Sequence, residues 1–579
     1  MIWIPLLVAS GTVAGAVRLR RRLAPLRVLP VPEDEQAARR AGDKDDGRDA
    51  AYKLVTAEGV AVPGRLRRAA FDHAFAHDLQ VLDLVPADLP VERALDLARD
   101  VDLRTYRRDP VAPGRGAGFA ALVAGDVLAR AEVPAGALDR GAFGEATARL
   151  RQYALPPMDG VGSGAGMVAV PCRTAPRSTS GGGRRAWLRG LGVSVPRRTG
   201  STLVSYGLVG AALVADPWWG VLAVVAYSAV PYIVFAGSAI RPRDLHRSAL
   251  LRVVRTPWQV WATLRGRPGE WERRLAERER EDAARYAGEV AHGVDRFLQP
   301  RRDDCPWCGS LAFRKILTSG DVVHDRPGRF TLERCGDCGH VFQHPALNDA
   351  GREFYGRDVH GRQPFGLGSE PTERLGARRA RVKFAASHVP VRPRAWLDVG
   401  AGHGRFCGTA RTLVPGTAFD GLDTAAGVAE GARRGWLRAA YRGRFTDLKD
   451  ELSGRYDLVS MNHYLQGVDD PLAELDAAAK ILPPGGHLLI ELPDPRVGRW
   501  SQPGHRHLIS RGNLEAALAG RGLRVVARGR ARHRYAAPGP GPLRGAGTAR
   551  TAAVARWIAA VAWAAPFPGY RVLARKDQG

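Results

Sequence analysis

The stretch Trp396-Leu-Asp-Val-Gly-Ala-Gly-His-Gly-Arg-Phe406 admits few folds. An apolar run ends at Asp398 and Val399, and Gly400, Gly402 and Gly404 follow at alternate positions before a helical pattern starts. Three glycines in a strand-to-helix turn let the backbone approach a ligand closely, as in nucleotide sites of doubly wound α/β sheets. A second apolar run, Phe419-Asp-Gly-Leu-Asp423, ends in a carboxylate 19 positions after Gly404. That offset suits an acid that accepts hydrogen bonds from both hydroxyls of a ribose.

The pattern continues downstream. Phe445 to Leu448 fits the loop after a third strand, and Tyr456 to His463 reads as a fourth. Asp470-Pro-Leu opens a helix to Leu482, and Pro483-Pro-Gly-Gly486 turns it into a fifth strand, His487 to Leu492. Leu523 to Ala527 and Tyr570 to Ala574 fit the last two strands. Such alternation predicts an α/β fold. A dehydrogenase would need a differently spaced glycine turn and would not explain the proline-glycine turn before the fifth strand.

In the order and spacing of these motifs, residues from about 300 to 579 resemble class I S-adenosylmethionine-dependent methyltransferases. More narrowly they resemble bacterial members with an N-terminal zinc ribbon, a group that includes sugar C-methyltransferases. The resemblance implies a Rossmann-like domain with S-adenosylmethionine as cofactor. Asp398 would hold its ammonium, Gly400, Gly402 and Gly404 its turn, and Asp423 its ribose. Phe445 is a candidate stacking face for the adenine, with a core role equally open.

The chain departs from the family after the fourth strand. Relatives often carry His-x-x-Glu-His there, whereas this chain reads His463-Tyr-Leu-Gln-Gly467. Gln466 cannot act as a base. Gly504-His-Arg-His507 matches a His-x-His-like stretch that relatives show after the fifth strand. Methyl transfer is an in-line displacement, so the protein must align the reactants and take up a proton when the acceptor is a hydroxyl or a carbon acid. His463, His505 and His507 are the candidate bases, and a structural role for each stays open beside the catalytic one.

Upstream stand Cys305-Pro-Trp-Cys308-Gly and Cys335-Gly-Asp-Cys338-Gly, four of the six cysteines. Two residues between thiols let both reach one ion, and the glycine after each pair permits a left-handed turn. Four thiolates satisfy the tetrahedral preference of zinc and leave no open position, which predicts a structural metal site at Cys305, Cys308, Cys335 and Cys338. A thioredoxin-type redox pair would need no second pair.

Residues 2–17 are apolar and are followed by Arg18, Arg20, Arg21 and Arg22. Charge after the apolar run, not before it, favours a signal-anchor helix over a cleaved signal, although the run is short beside the typical ~20 residues of a span. Residues 203–240 are apolar except for Asp216, too long for one helix. They fit a hairpin turning at Asp216-Pro217, with Trp218 and Trp219 at the interface. Arg197 and Arg198 before it and Arg241 and Arg243 after it put both ends in the cytoplasm under the positive-inside rule.

The expected layout is therefore a signal anchor (1–30), a cytoplasmic α/β region (31–200), a transmembrane hairpin (201–240), a helical connector (241–300), a zinc ribbon (301–345) and a class I methyltransferase domain (346–579). About three transmembrane helices would make the protein multi-pass in the cell membrane, with the methyltransferase domain on the cytoplasmic side. The first α/β region shows no catalytic constellation. Asp100-Val-Asp102 has the spacing of a D-x-D motif, with a solvated helix end as the plainer reading. The order of anchor, α/β region and hairpin loosely resembles membrane-bound family 2 glycosyltransferases.

The net charge of +27 would suit nucleic acid or anionic lipid. The arginines are spread through every segment and no nucleic-acid recognition motif accompanies them, so nucleic acid is not the expected partner. The expected partners are a membrane and a small-molecule or glycolipid acceptor. A bifunctional envelope enzyme and a non-catalytic tethering module remain as alternatives.

Overall fold

A computed structural model of the protein describes residues 2–31, 51–87, 89–101, 103, 116–154, 164–170, 181–190, 193, 195–238, 240–265, 270–320, 327–360, 375–495, 504–533 and 567–578. The chain divides into two compact units, residues 1–278 with 364–367, and residues 279–363 with 368–579.

The first unit opens with α1 (Trp3–Leu23), followed by β1 (Tyr52–Ala57), α2 (Gly64–Ala76), β2 (Val81–Pro86), α3 (Val91–Asp100), β3 (Ala120–Ala124), α4 (Gly125–Ala131), β4 (Gly136–Leu138), α5 (Arg140–Tyr153) and β5 (Ala165–Val170). The strands form one sheet in the order β4-β1-β3-β2-β5. Its centre is β3, antiparallel to both β1 and β2, so this α/β sheet is mixed and not doubly wound. Leu66, Ala70, Phe71 and Ala74 of α2 cover one face, and Phe143, Ala146 and Leu150 of α5 cover the other. Asp100 accepts a hydrogen bond from Arg198 at 3.2 Å, and Asp102 lies outside the described residues.

Helices complete this unit: α6 (Gly181–Gly190), α7 (Val195–Ala215), α8 (Pro217–Phe235) and α9 (Pro242–Arg265). The chain reverses at Asp216, whose carboxylate caps α8 by accepting from the Trp219 backbone N–H, and Pro217 occupies the first turn. A β-carbon at Gly220 would stand 2.6 Å from the Leu213 Cα, so glycine there lets α7 and α8 pack closely. Among the described residues one helix, Pro217–Phe235, is long and apolar enough to cross a membrane. One face of its second half is buried: Val230, Val234 and Phe235 pack with Ala16 of α1, Ala94, Leu95 and Ala98 of α3, and Leu245 of α9.

The helix α10 (Glu270–Glu289) leads into the second unit. There follow β6 (Phe313–Ser319), β7 (Phe330–Cys335), β8 (Val341–Gln343), α11 (Asp349–His360), α12 (Leu375–His388), β9 (Ala395–Val399), α13 (Arg405–Leu413), β10 (Ala418–Asp423), α14 (Val428–Arg433), β11 (Ala439–Arg442), α15 (Phe445–Leu448), β12 (Leu458–Asn462), α16 (Pro471–Ile481), β13 (His487–Pro493), β14 (His507–Leu508), α17 (Arg511–Ala519), β15 (Leu523–His533) and β16 (Phe567–Lys576). Seven strands form a sheet in the order β11-β10-β9-β12-β13-β16-β15. The first five run parallel, and β16 is antiparallel to both neighbours. This is a Rossmann-like sheet. The strand order reverses between β9 and β12, and their carboxyl ends form the crevice where such sheets bind ligands.

Candidate active site and metal centre

The glycine turn sits at that crevice. Gly400, Gly402 and Gly404 all have positive φ, at 75°, 55° and 73°, a region that other residues adopt at a cost. The turn is pinned to the neighbouring strand, since the Gly400 and Ala401 N–H groups both donate to the Leu422 carbonyl. Asp423, at the end of β10, accepts from the Gly402 N–H and the Ala425 N–H, each at 2.8 Å. A β-carbon at Gly402 would meet nothing within 4 Å, so the space in front of this turn is open.

Asp398 is buried at the end of β9, where register puts it opposite Ser460 of β12. One of its oxygens accepts from the Ser460 hydroxyl at 2.5 Å and from the Asn462 amide at 2.9 Å. Open space, three left-handed glycines and two strand-end carboxylates fit the amino-acid and ribose ends of the cofactor expected from the sequence.

Phe445 has a different place. It is 0% exposed and belongs to the core with Leu397, Val399 and Leu422, so it offers no face to an adenine. The aromatic ring that does border the glycine turn is Tyr464. Its ring would lie 2.7 Å from a β-carbon at Gly400, and its hydroxyl donates to Glu474 at 3.1 Å. Burial pushes the Glu474 carboxyl up to about 7, against that hydrogen bond.

The three candidate bases differ in setting. His463 directly follows β12 and is one of only three non-glycine residues with positive φ, at 56°, among the described residues. Its Nε2 stands 3.5 Å from Glu491, and its backbone N–H donates to the Glu491 carbonyl. Glu491 is fully buried on β13 and also pairs with Arg381 of α12, at 2.6 Å, and Arg571 of β16. Burial opposes its charge, but Arg381 and His463 outweigh burial and hold the carboxyl well below the usual range.

His505 and His507 face protein. His505 Nε2 is 3.3 Å from the Gln466 side-chain nitrogen, and burial, aided by the His463 charge, lowers its imidazole to about 4. His507 lies in β14 between His340, at 3.1 Å, and the Asp469 carbonyl, at 3.3 Å. Burial and then the Arg506 charge lower it to about 3. His463 and His505 are thus brought together beside Gln466, while His507 belongs to a seam with the cysteine ribbon.

That seam is continuous sheet. The ribbon strands β6, β7 and β8 are extended by β14 in the order β14-β8-β7-β6. The Gln343 N–H donates to the Arg506 carbonyl, and the Arg506 and His507 N–H groups both donate to the Gln466 carbonyl. The Asn513 amide donates to the Cys338 carbonyl at 3.1 Å. The ribbon therefore pairs with β14, and the β14 segment in turn bonds to Gln466 in the segment after β12.

The four thiols form a ready ligand set. Cys305, Cys308, Cys335 and Cys338 place their sulfur atoms within 4.8 Å of one another, with Cys305 to Cys338 at 3.7 Å and Cys308 to Cys335 at 3.6 Å. Four thiolates at about 2.3 Å from one tetrahedral ion would be about 3.8 Å apart. Gly309 and Gly339, after each pair, have φ of 74° and 69°, the left-handed turn the spacing requires. Cys407 is buried in the sheet core with Trp396 and Phe406, away from the ligand set.

Sequence reasoning missed Tyr464, Glu474, Glu491 and Arg381. Glu491 carries a signal, a lone carboxylate inside an apolar strand run, because burying a charge is costly unless it is paired. Arg381 carries none, since it is one arginine among many on a helix.

A family model described as a methyltransferase domain matches residues 372–528. No curated protein matches the chain. Among solved structures, 1,6-didemethyltoxoflavin-N1-methyltransferase from Burkholderia thailandensis is 17% identical, with 42% of this chain and 98% of that chain covered and a TM-score of 0.27. N-methyltransferase NodS from Bradyrhizobium japonicum is 16% identical, with 39% and 97% covered and a TM-score of 0.26. A SAM-dependent methyltransferase from Archaeoglobus fulgidus is 15% identical, with 35% and 95% covered and a TM-score of 0.26. The chain carries a methyltransferase domain, and the family match places it over residues 372–528.

Proposed function

We propose that the second unit transfers a methyl group from S-adenosylmethionine to a sugar, a glycolipid or another envelope precursor, and that the protein does so while tethered to a membrane. The observation that carries the cofactor reading is the Gly402 N–H bonded to Asp423 across adjacent parallel strands, in front of open space. When bound, S-adenosylmethionine supplies a methyl carbon activated by its sulfonium. Asp423 would accept from the ribose hydroxyls, and Asp398 would face the ammonium, directly or through water. His463 would take the acceptor's proton, with Glu491, 3.5 Å from its Nε2, orienting the imidazole.

The four thiols support zinc in a closed site with a structural role, stapling the ribbon that pairs with β14. The apolar α7–α8 hairpin, with arginines at both ends, supports a membrane tether. Three spans, a multi-pass topology and a cytoplasmic methyltransferase domain are part of this proposal.

Isothermal titration of the full chain with S-adenosylmethionine tests the cofactor half. Asp423→Ala should weaken binding about tenfold or more, the worth of hydrogen bonds to a charged group. Unchanged affinity would remove Asp423 from the site. A second reading, a non-catalytic tethering module, is favoured by the burial of His505 and His507 and by Gln466 in place of glutamate. Membranes and extract incubated with methyl-labelled S-adenosylmethionine separate the two: label in any acceptor fraction excludes the second reading.

A further inference from the structure

The inward and outward faces of α9 carry opposite messages. Inward, Leu245, Ser248, Ala249, Thr256, Val260 and Thr263 are buried. That face is fixed by polar contacts. Arg255 pairs with Glu92 of α3 at 3.2 Å, the Thr256 hydroxyl meets the Tyr227 hydroxyl of α8 at 2.9 Å, and Thr263 accepts from Arg184 of α6 at 3.1 Å. These contacts set the rotation of the helix about its axis.

Outward, Leu250 is 67% exposed, Val254 74%, Trp258 62%, Trp261 53% and Leu264 54%. Spacings of three and four keep these five on one stripe. Over 15 residues the stripe runs about 21 Å at 1.5 Å per residue. Exposed apolar surface that is contiguous marks an interaction site, whereas scattered residues do not.

Two further observations say what covers it. Apolar exposure continues within the same unit onto the hairpin that α9 follows: Leu203, Val204, Leu208 and Val214 of α7 and Trp218, Val221, Leu222 and Val225 of α8 are all exposed. The charge near the stripe is cationic in balance, with one exposed carboxylate, Asp244, among the arginines. Arg241, Arg243 and Arg247 stand exposed at its start, and Arg265 at its end lies 5.2 Å from the centre of the Trp261 ring. An apolar stripe with tryptophans and arginines at its margins is the pattern of a helix that lies in a lipid interface, with cations meeting anionic headgroups.

We propose that α9 lies flat in an anionic phospholipid surface, with Leu250, Val254, Trp258, Trp261 and Leu264 facing the lipid. It is then an in-plane float, not a fourth span and not a solvated connector. Its inward contacts would fix the height of the α3 face above the headgroups. This inference rests on the reading of α7–α8 as the membrane hairpin.

The test is photo-crosslinking in the full chain, reconstituted in vesicles of phosphatidylcholine with phosphatidylglycerol. p-Benzoylphenylalanine is placed singly at position 258 on the stripe, at 221 on the hairpin and at 260 on the buried face of α9. Lipid adducts at 258 and 221, at least about tenfold over 260, support the proposal, and adduct at 258 should rise with phosphatidylglycerol content. Lipid adduct at 221 with only protein adduct at 258, to another part of the chain or to a second copy, overturns the in-plane helix and leaves the hairpin reading intact. Lipid adduct at neither position overturns both.

Discussion

The two halves of the candidate methyltransferase site are built in different ways. The cofactor half is local. Asp398, three glycines and Asp423 fall in one strand-turn-helix-strand segment, and their geometry follows from backbone dihedrals and strand register. The half expected to face the acceptor is assembled from distant pieces. His463 meets Glu491, Gln466 meets His505 across 39 positions, and His340 of the ribbon meets His507 across 167. A local half is specified by a few residue types, and each can be tested alone. A long-range half depends on every element that carries its contacts, so its weakest support decides its shape.

The metal centre offers the largest way to break that contrast. Structural zinc sites bind with about 10–16 kcal/mol, comparable to the entire stability of a domain. Cys335→Ser should abolish metal in the purified chain, measured by mass spectrometry, and expose residues 301–345 to limited proteolysis. Hydrogen exchange should rise at the Gln343 amide, which donates to the Arg506 carbonyl, because β8 and β14 separate. S-adenosylmethionine affinity should change less than about threefold, since among the described residues no ribbon contact reaches the glycine turn. A comparable loss of cofactor binding would mean the halves are one cooperative unit.

Glu491 tests the long-range half without the metal. Removing one partner from a buried charge network leaves the others uncompensated, at about 3–5 kcal/mol. Glu491→Gln should lower the unfolding free energy of the second unit, read from its urea transition, by that amount. A loss under about 1 kcal/mol would show that Arg381 and Arg571 find water instead of carboxylate.

These two residues also show where the sequence stops being readable. The sheet was legible because strand, glycine turn and helix recur at regular spacing, and the four-cysteine cluster because two residues separate each pair. Phe445 was open between ligand and core because an aromatic ring after a strand suits both, and only tertiary packing decides. Glu491 could be suspected from a charge in an apolar strand, but Arg381 and Arg571 could not be chosen as its partners from 86 Lys and Arg residues. In the first unit the antiparallel β3 at the sheet centre was not readable, because register and direction are set by partners far along the chain.

Acidity acts on the halves with opposite sign. His505 has a folded value of about 4, below the ordinary 6.5, so the folded chain binds fewer protons than the unfolded chain between those values. Its contribution is therefore lost as pH falls from 6.5 through 4, by up to about 3 kcal/mol. Glu474, beside Tyr464 at the glycine turn, has a folded value of about 7, above the ordinary 4.5. The folded chain then binds more protons in that window, and stability is lost as pH rises from 4.5 through 7. His505→Gln should flatten the acid limb of a stability-pH profile, and Glu474→Gln should raise the plateau above pH 7. If both variants shift the same limb, the assignment of opposite signs fails.

The smallest effect isolates the cofactor half from simple backbone strain. Gly402 and Gly416 both have positive φ, at 55° and 85°, and neither has an atom within 3.4 Å of a β-carbon. Alanine at either position should cost stability by a similar amount, about 1–2 kcal/mol for a left-handed residue. Gly416 lies before β10, at the strand end opposite the crevice, while Gly402 faces the open space beside Asp423. Gly402→Ala should therefore weaken S-adenosylmethionine binding several-fold beyond its stability cost, and Gly416→Ala should leave binding unchanged. Equal binding in the two variants would mean that the glycine at 402 serves only the turn, and that the open space in front of it is solvent and not the seat of the cofactor.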